Sequence, residues 1–172
     1  MIKYLVFGIS ISFISWIVGM LFNSILVKTE FYKKISNFNF IESETLNNNI
    51  GLSYFKWIVK NTLFKFFNQK ITLKNKKMNL REVRKEMTIA EISHLIAFIF
   101  VSIIAIYKGF TQSFLLGLII MLVNLLMNLY PSLLQQENKR RIDKLIKKQV
   151  KPMASTGSFV LVLITFSFSS FY

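Results

Sequence analysis

The sequence contains no cysteine, a single histidine and only eight acidic residues in 172 positions. Without cysteine, the chain can form no disulfide, no thiol nucleophile and no cysteine-ligated metal site. One histidine also excludes zinc sites that need two or three histidines from the same chain. We therefore expect no metal and no tightly bound cofactor, and two common catalytic plans are excluded at the outset.

Apolar and basic residues dominate what is present. The chain is 53% apolar and 15% aromatic, whereas a soluble domain of this size is usually about 45–50% apolar. Lys and Arg number 22, which gives a net charge of +14. Because the cations alternate with long uncharged apolar runs, anionic lipid headgroups explain them better than nucleic acid does. We predict membrane lipids as partners and no nucleic acid.

Long apolar segments indicate an all-α, polytopic membrane protein with three or four transmembrane helices and amphipathic interfacial helices. About 20 apolar residues cross a bilayer, and the chain forms one membrane domain with predicted spans at 2–27, 89–107, 110–130 and possibly 156–172. A cleaved signal peptide is the alternative for the first segment. Its apolar run is long for that purpose, however, and no small-residue cleavage site follows it.

The cations lie mainly in two segments, 28–88 and 132–154, which carry 13 and seven of them. By the positive-inside rule, both segments are cytoplasmic and the N-terminus is outside a multi-pass cell membrane protein. Tyr54 to Phe67 alternates aromatic residues with lysines, which predicts a helix in the headgroup plane with Trp57 dipping into the membrane. Residues 70–85 are expected to form a basic connector, and Lys108 and Gly109 a tight turn between the second and third spans. Pro131 is expected to stop or kink the third span, and a cytoplasmic helix follows it.

Four polar residues are predicted near the cytoplasmic ends of the second and third spans. Glu91 and His94 are three residues apart, and Asn124 and Asn128 are four apart, so each pair shares a helix face. A carboxylate beside an imidazole can orient a general base, and an amide can donate to an oxyanion. Further polar candidates follow directly: Gln135, Asn138, Arg140 and Arg141.

Structural roles compete with these catalytic ones. Thr88 to Glu91 matches a capping box, in which Glu91 would satisfy a helix start, and Ser132 to Gln135 matches the same pattern. His94 could extend to the interface, the asparagines could join helices, and the arginines could contact lipid phosphate.

Three sequence blocks resemble the glycosyl-4,4′-diaponeurosporenoate acyltransferase family. They are MTIAEISH at 87–94, NLYP at 128–131 and QQENKRR at 135–141, and the likeness extends loosely over 30–148. The resemblance implies a membrane-bound acyltransferase that esterifies a hydroxyl of a glycosylated lipid, a carotenoid glycoside or a related glycolipid. It also implies a lipid-linked acceptor, with acyl-CoA or acyl-carrier protein as the acyl donor.

Residues and resemblance together suggest a mechanism. His94, oriented by Glu91, would remove a proton from a sugar hydroxyl, with Asn128 or Gln135 near the oxyanion. The H-x-x-x-x-D box of other acyltransferases is absent, because only apolar residues follow His94 as far as Ile99. The residues assigned to substrate binding are Asn124, Gln135, Asn138, Arg140 and Arg141. Of these, Arg140 and Arg141 would hold the phosphates of the acyl donor.

Two functions other than catalysis stay open. The chain could be a non-enzymatic membrane subunit or scaffold that docks a partner through its basic cytoplasmic face. A small transporter or channel is a further alternative, which would need an oligomer to form a pathway. A scaffold should tolerate loss of His94 and should fail when Arg140 and Arg141 are reversed in charge, whereas an enzyme should show the opposite ranking.

Overall fold

The computed structural model describes residues 1–37, 41, 45, 49–61 and 79–148, and every regular element in them is helical. Three helices are long and apolar enough to cross a membrane, in agreement with the predicted all-α membrane fold. The helices are α1 (Ile2–Leu26), α2 (Glu30–Ser36), α3 (Leu52–Asn61), α4 (Leu80–Thr111) and α5 (Phe114–Lys148).

Helix α1 buries one narrow stripe of small and polar residues and exposes large apolar side chains elsewhere. The buried residues recur every three or four positions, at Gly8, Ser12, Ser15, Gly19 and Asn23. This spacing places them on a single helix face. A helix that is apolar outside and small or polar inside suits a lipid environment, where small residues allow helices to approach closely.

Contacts along α1 define how the three long helices run. Asn23, near the end of α1, donates to Ser93 of α4 at 2.9 Å. Gly8, near its start, lies against Val123 of α5. Helix α1 is therefore antiparallel to α4 and runs in the same direction as α5. A Cβ atom on Gly19 would overlap the backbone carbonyl oxygen of Ser93, so glycine sets the distance between α1 and α4.

Helix α4 begins earlier and ends later than the predicted second span. The Asn79 side chain accepts from the Arg81 amide at 3.1 Å and caps the helix start. Residues 80–85 are therefore helical, although they were expected to belong to a connector. The turn expected at Lys108 and Gly109 lies at residues 112 and 113 instead. At 1.5 Å per residue α4 is about 48 Å long, so it extends beyond a hydrocarbon layer of about 30 Å.

Helix α5 continues through Pro131, so of the two predicted effects of this proline, a stop or a kink, the stop does not occur. A π-helical turn, Leu125–Leu129, precedes the proline, and the Tyr130 amide bonds the Leu125 carbonyl five residues back. Such a turn changes the hydrogen-bond register just before a residue that has no N–H to donate. The predicted cytoplasmic helix is thus the continuation of the third span.

Helix α3 is amphipathic, as predicted, and its apolar side packs on α5. Leu52 and Val59 join Leu133 and Leu134 of α5 in one buried cluster. Trp57 lies on the exposed side of α3, and its predicted insertion into the headgroup layer stays a prediction. The remainder of that predicted interfacial helix, the connector at 70–78 and the possible fourth span at 156–172 lie outside the described residues.

The described parts of the two basic segments meet at one end of the bundle, here called the basic end: α2, the first turns of α4 and the last turns of α5. Arg84 of α4 donates to Asp143 of α5 at 2.5 Å and to Asn37, just after α2, at 3.1 Å. Val83 and Met87 pack against Ile142 in a small apolar cluster. These contacts hold the basic ends of α4 and α5 together.

Candidate active site

A buried ion pair lies where α4 enters the basic end. The Glu91 side chain is almost fully buried, and its two oxygens accept from Lys139 at 2.6 Å and from Gln136 at 3.0 Å. Lys139 is also buried and donates to the Ser36 carbonyl at 3.1 Å. We call Glu91, Gln136 and Lys139 the charged cluster, which joins α4, α5 and the end of α2.

The charged cluster changes the interpretation of Glu91. Neither proposed capping box forms, because Thr88 lies inside α4 and Ser132 lies inside α5, far from any helix start. Ser132 instead donates across the helix pair to the Glu91 carbonyl at 3.1 Å. The structure also does not bring Glu91 to His94, because both carboxylate oxygens bind side chains of α5.

The two predicted asparagines lie together in a second buried group. Asn128 donates to Asn124 at 2.8 Å and to Ser15 of α1 at 3.2 Å, and it accepts from Trp16 at 3.0 Å. Asn124 donates to Ser102 of α4 at 3.0 Å. These five residues, the neutral cluster, join all three long helices, as expected of polar side chains that hold membrane helices together.

His94 lies at the edge of the neutral cluster. Its ring stands edge-on to Trp16, with 5.9 Å between ring centroids and an interplanar angle of 89°. Asn128 is a further neighbour of the imidazole. Within the described part of the chain, the buried Nδ1 of His94 has no hydrogen-bond partner. An unpaired imidazole nitrogen can exchange a hydrogen bond with a hydroxyl group.

His94 and Gln135 border a cavity of about 500 Å³ between α1, α3 and α5. Both side chains lie towards the basic end, and Trp16 lies beside them. The rest of the lining is apolar: Leu5, Ile9, Phe55, Ile58, Val59, Val123, Leu126, Met127, Pro131 and Leu134. A long apolar cavity with its polar groups at one end fits an amphipathic ligand.

The remaining predicted site residues lie outside this cavity. Asn138 is half-buried. Arg140 donates to the Ile41 carbonyl at 2.5 Å, and Arg141 donates to Glu137 at 2.7 Å. Both guanidinium groups therefore bind the protein itself, so the phosphate-binding role predicted for them would require these contacts to be shared or exchanged.

Sequence reasoning missed the partners of the predicted residues. Lys139 and Gln136 belong to the QQENKRR block but were assigned no role, and Trp16 was considered only as part of an apolar span. Half-buried Tyr32 of α2 was also missed, and burial raises the pKa of its phenol above the ordinary value of 10.0. Among the described residues, no three His, Cys, Asp or Glu side chains are grouped so that they could hold a metal ion.

Fold and site together define a helical membrane protein with an amphipathic cavity near one end of its bundle. The sequence profile of the glycosyl-4,4′-diaponeurosporenoate acyltransferase family matches residues 28–148, so this chain belongs to that family. Acyl transfer to a glycosylated lipid is the activity that the family name describes. No curated protein and no solved structure matches the chain.

Proposed function

We propose that this protein transfers a fatty acyl group to a hydroxyl of a glycosylated lipid at the basic end of its cavity. The observation that carries the proposal is the position of His94: it borders an apolar cavity, and its Nδ1 lacks a hydrogen-bond partner among the described residues. Membership of an acyltransferase family that is named for a glycolipid supports the same reaction.

His94 acts as the general base in this proposal. It accepts the proton of the acceptor hydroxyl while the hydroxyl oxygen attacks the thioester carbonyl carbon. The carbon–sulfur bond then breaks, an ester forms, and the thiolate takes the proton from the imidazolium to leave as a thiol. Gln135, which borders the same part of the cavity, donates to the developing oxyanion. Asn128 supports the imidazole from the neutral cluster.

The lipid chain of a substrate occupies the apolar part of the cavity. The lining follows α5 from Val123 to Gln135, which is about 18 Å along a helix at 1.5 Å per residue. Leu5 and Ile9 of α1 border its far end, and both are partly exposed on the outside of the bundle. A chain can therefore enter sideways from the bilayer while its polar head stays near His94.

The acyl donor, acyl-CoA or an acyl-carrier protein, binds at the basic end. Lys144, Lys147 and Lys148 of α5 are exposed there and can attract the donor's phosphate groups. We place this end in the cytoplasm and the N-terminus outside, because cations concentrate on the cytoplasmic side of membrane proteins. The chain has no cysteine, so single cysteines introduced at Ser113 and at Lys148 can test this orientation by membrane-impermeant labelling.

The direct test supplies purified protein in liposomes with a glycosylated lipid and a radiolabelled acyl thioester. Wild type should form an acylated glycolipid, and His94→Ala should lower the rate by about 100-fold or more, the usual contribution of a general base. Tyr107→Ala, an exposed aromatic residue near the other end of α4, is the matched control and should keep the wild-type rate.

Product formation that is unchanged in His94→Ala would remove His94 from the mechanism. Lipid profiles of cells with and without the gene give an independent test, because an acylated glycolipid should disappear with the gene. Identical profiles, with the protein expressed, would reject acyl transfer. If charge reversal of Arg140 and Arg141 then abolished association with another membrane protein, the scaffold function would replace it.

A further inference from the structure

Trp16 belongs to α1, which lies outside the residues that match the family profile. We propose that Trp16 is a positioning residue of the site, which orients Asn128 and His94 and supplies a hydrogen-bond donor where Pro131 has none. The inference rests on the proposed function, because the site in question is the acyl-transfer site. It adds an N-terminal helix to a site that the matched residues otherwise supply.

The carbonyl of Met127 lies four residues before Pro131 in α5. In a regular α-helix this carbonyl would accept from the amide of residue 131, but Pro131 has no N–H to donate. The single N–H of Trp16 is shared between two acceptors, Asn128 Oδ1 at 3.0 Å and the Met127 carbonyl at 3.3 Å. A side chain of α1 thus supplies a donor at the place in α5 where the proline removes one.

The N–H of Trp16 also fixes the orientation of the Asn128 side-chain amide. Trp16 Nε1 can only donate, and it lies 3.0 Å from Asn128 Oδ1. The opposite amide orientation would point an NH₂ group at this N–H, so the indole selects a single orientation. In that orientation, Asn128 Nδ2 donates to Asn124 at 2.8 Å and to Ser15 at 3.2 Å. Trp16 therefore determines the donor and acceptor pattern of the neutral cluster.

The ring of Trp16 also packs against the ring of His94. The Trp16 ring stands at 89° to the imidazole with 5.9 Å between centroids, a common edge-to-face arrangement of aromatic rings. Both rings border the cavity. The indole therefore restricts the imidazole on one side while Asn128 lies next to it. A ring with this support keeps one orientation towards a ligand, as a general base requires.

The experiment compares Trp16→Phe, which keeps an aromatic ring and loses the N–H, with Trp57→Phe as the control. Trp57 is exposed on α3, and it is the only other tryptophan in the sequence. In the acyl-transfer assay, Trp16→Phe should lower kcat by about tenfold with KM within about twofold, since substrate affinity does not need the indole N–H. Trp57→Phe should leave both constants unchanged.

A second measurement does not depend on catalysis. Hydrogen–deuterium exchange of the α5 peptide covering residues 125–133 should be faster in Trp16→Phe and unchanged in Trp57→Phe. Adding Pro131→Ala to Trp16→Phe returns an N–H to the Met127 carbonyl and should slow the exchange again. A general loss of stability would raise exchange throughout the bundle, and Pro131→Ala would not reverse it at this one segment.

The outcomes separate the two proposals. Unchanged kcat and unchanged exchange in Trp16→Phe would overturn the positioning role. A raised KM with unchanged kcat would also overturn it, because Trp16 would then be a wall of the substrate cavity. If wild type transfers no acyl group, the proposed function fails. Local exchange that is faster in Trp16→Phe and reversed by Pro131→Ala would still support the part of the inference that concerns α5.

Discussion

The charged cluster and the histidine beside the neutral cluster both lie between helices, but they differ in how completely their polar atoms are paired. In the charged cluster, both Glu91 oxygens have donors, and Lys139 binds a second acceptor on another element. Beside the neutral cluster, His94 keeps an Nδ1 atom with no partner among the described residues. A fully paired cluster holds helices together, whereas a histidine that borders a cavity and keeps an unpaired nitrogen is a candidate for chemistry.

Their positions along α4 strengthen this contrast. Glu91 binds the polar helices of the basic end, while His94, three residues further on, lies about 4.5 Å deeper along the helix axis. Only His94 borders the cavity. Two residues that looked like one catalytic pair in the sequence therefore divide into a structural carboxylate and a candidate base. The variants below test that division, from the largest expected effect to the smallest.

Lys139→Met should be the most damaging change to stability. It leaves the Glu91 carboxylate buried without its cation, which costs about 3–5 kcal/mol when one partner of a buried pair is removed. Unfolding of the purified protein in mixed detergent micelles measures the loss, with exposed Lys144→Met as the matched control. The double variant Glu91→Gln with Lys139→Met should recover most of it. Equal stability of Lys139→Met and its control would refute a structural role for the pair.

Gly19→Ala tests how closely α1 must approach α4 to form the neutral cluster. The added Cβ would overlap the Ser93 carbonyl oxygen, so α1 must shift, at a cost of about 1–3 kcal/mol. Trp16 is one turn away, and acyl transfer should fall as well. Met20→Ala, on the exposed side of the same helix, is the control for both measurements. A stable and fully active Gly19→Ala protein would contradict the described helix contact.

Asn128→Ala removes three side-chain hydrogen bonds from the neutral cluster. Such bonds average about 0.6 kcal/mol each within membranes, so we expect a loss of about 1–2 kcal/mol in the same micelle unfolding experiment. Exposed Leu122→Ala on the same helix is the control. A loss as large as that of Lys139→Met would mean that the neutral cluster, and not the charged one, is the main polar support of the bundle.

Arg141→Ala should have the smallest effect on stability. Arg141 is exposed and binds Glu137 one turn earlier on α5, and Glu137 keeps Lys56 of α3 as a second partner. Exposed pairs of this kind contribute about 0.3–0.5 kcal/mol. The informative measurement is therefore KM for the acyl thioester: an increase at unchanged stability would support the predicted phosphate contact. An unchanged KM would remove Arg141 from donor binding.

Much of the fold could be predicted because membrane helices follow local rules. The spans, the amphipathic α3 and the two basic segments all follow from composition over windows of about 20 residues. Helix limits were harder to predict. Asn79 starts α4 well before the apolar run, and a π-helical turn lets α5 continue past Pro131. Both features depend on single hydrogen bonds that average hydropathy does not reveal.

The site was predicted less completely than the fold. The two asparagines bond each other and Asn128 lies beside His94, because helical spacing and similar depth placed these residues on facing helices. Gln135 borders the same cavity as His94. The predicted pairing of Glu91 with His94 does not occur, because Lys139 is a stronger partner for a buried carboxylate than a neutral ring is. Neither this lysine nor Trp16 could be identified as a site residue from the sequence, since each makes its hydrogen bonds to a residue of another helix.

The small number of acidic residues, the lack of cysteine and the long apolar runs were enough to establish a basic, all-helical membrane protein. The cost of exposing such runs to water does not depend on which helices are neighbours. The role of each polar residue depended on how those helices pack. Glu91 and Lys139 are 48 positions apart, and Trp16 and Asn128 are 112 apart. Contacts at such separations depend on how far one helix is shifted along its neighbour. Close packing at residues such as Gly19 sets this register, and local periodicity does not encode it.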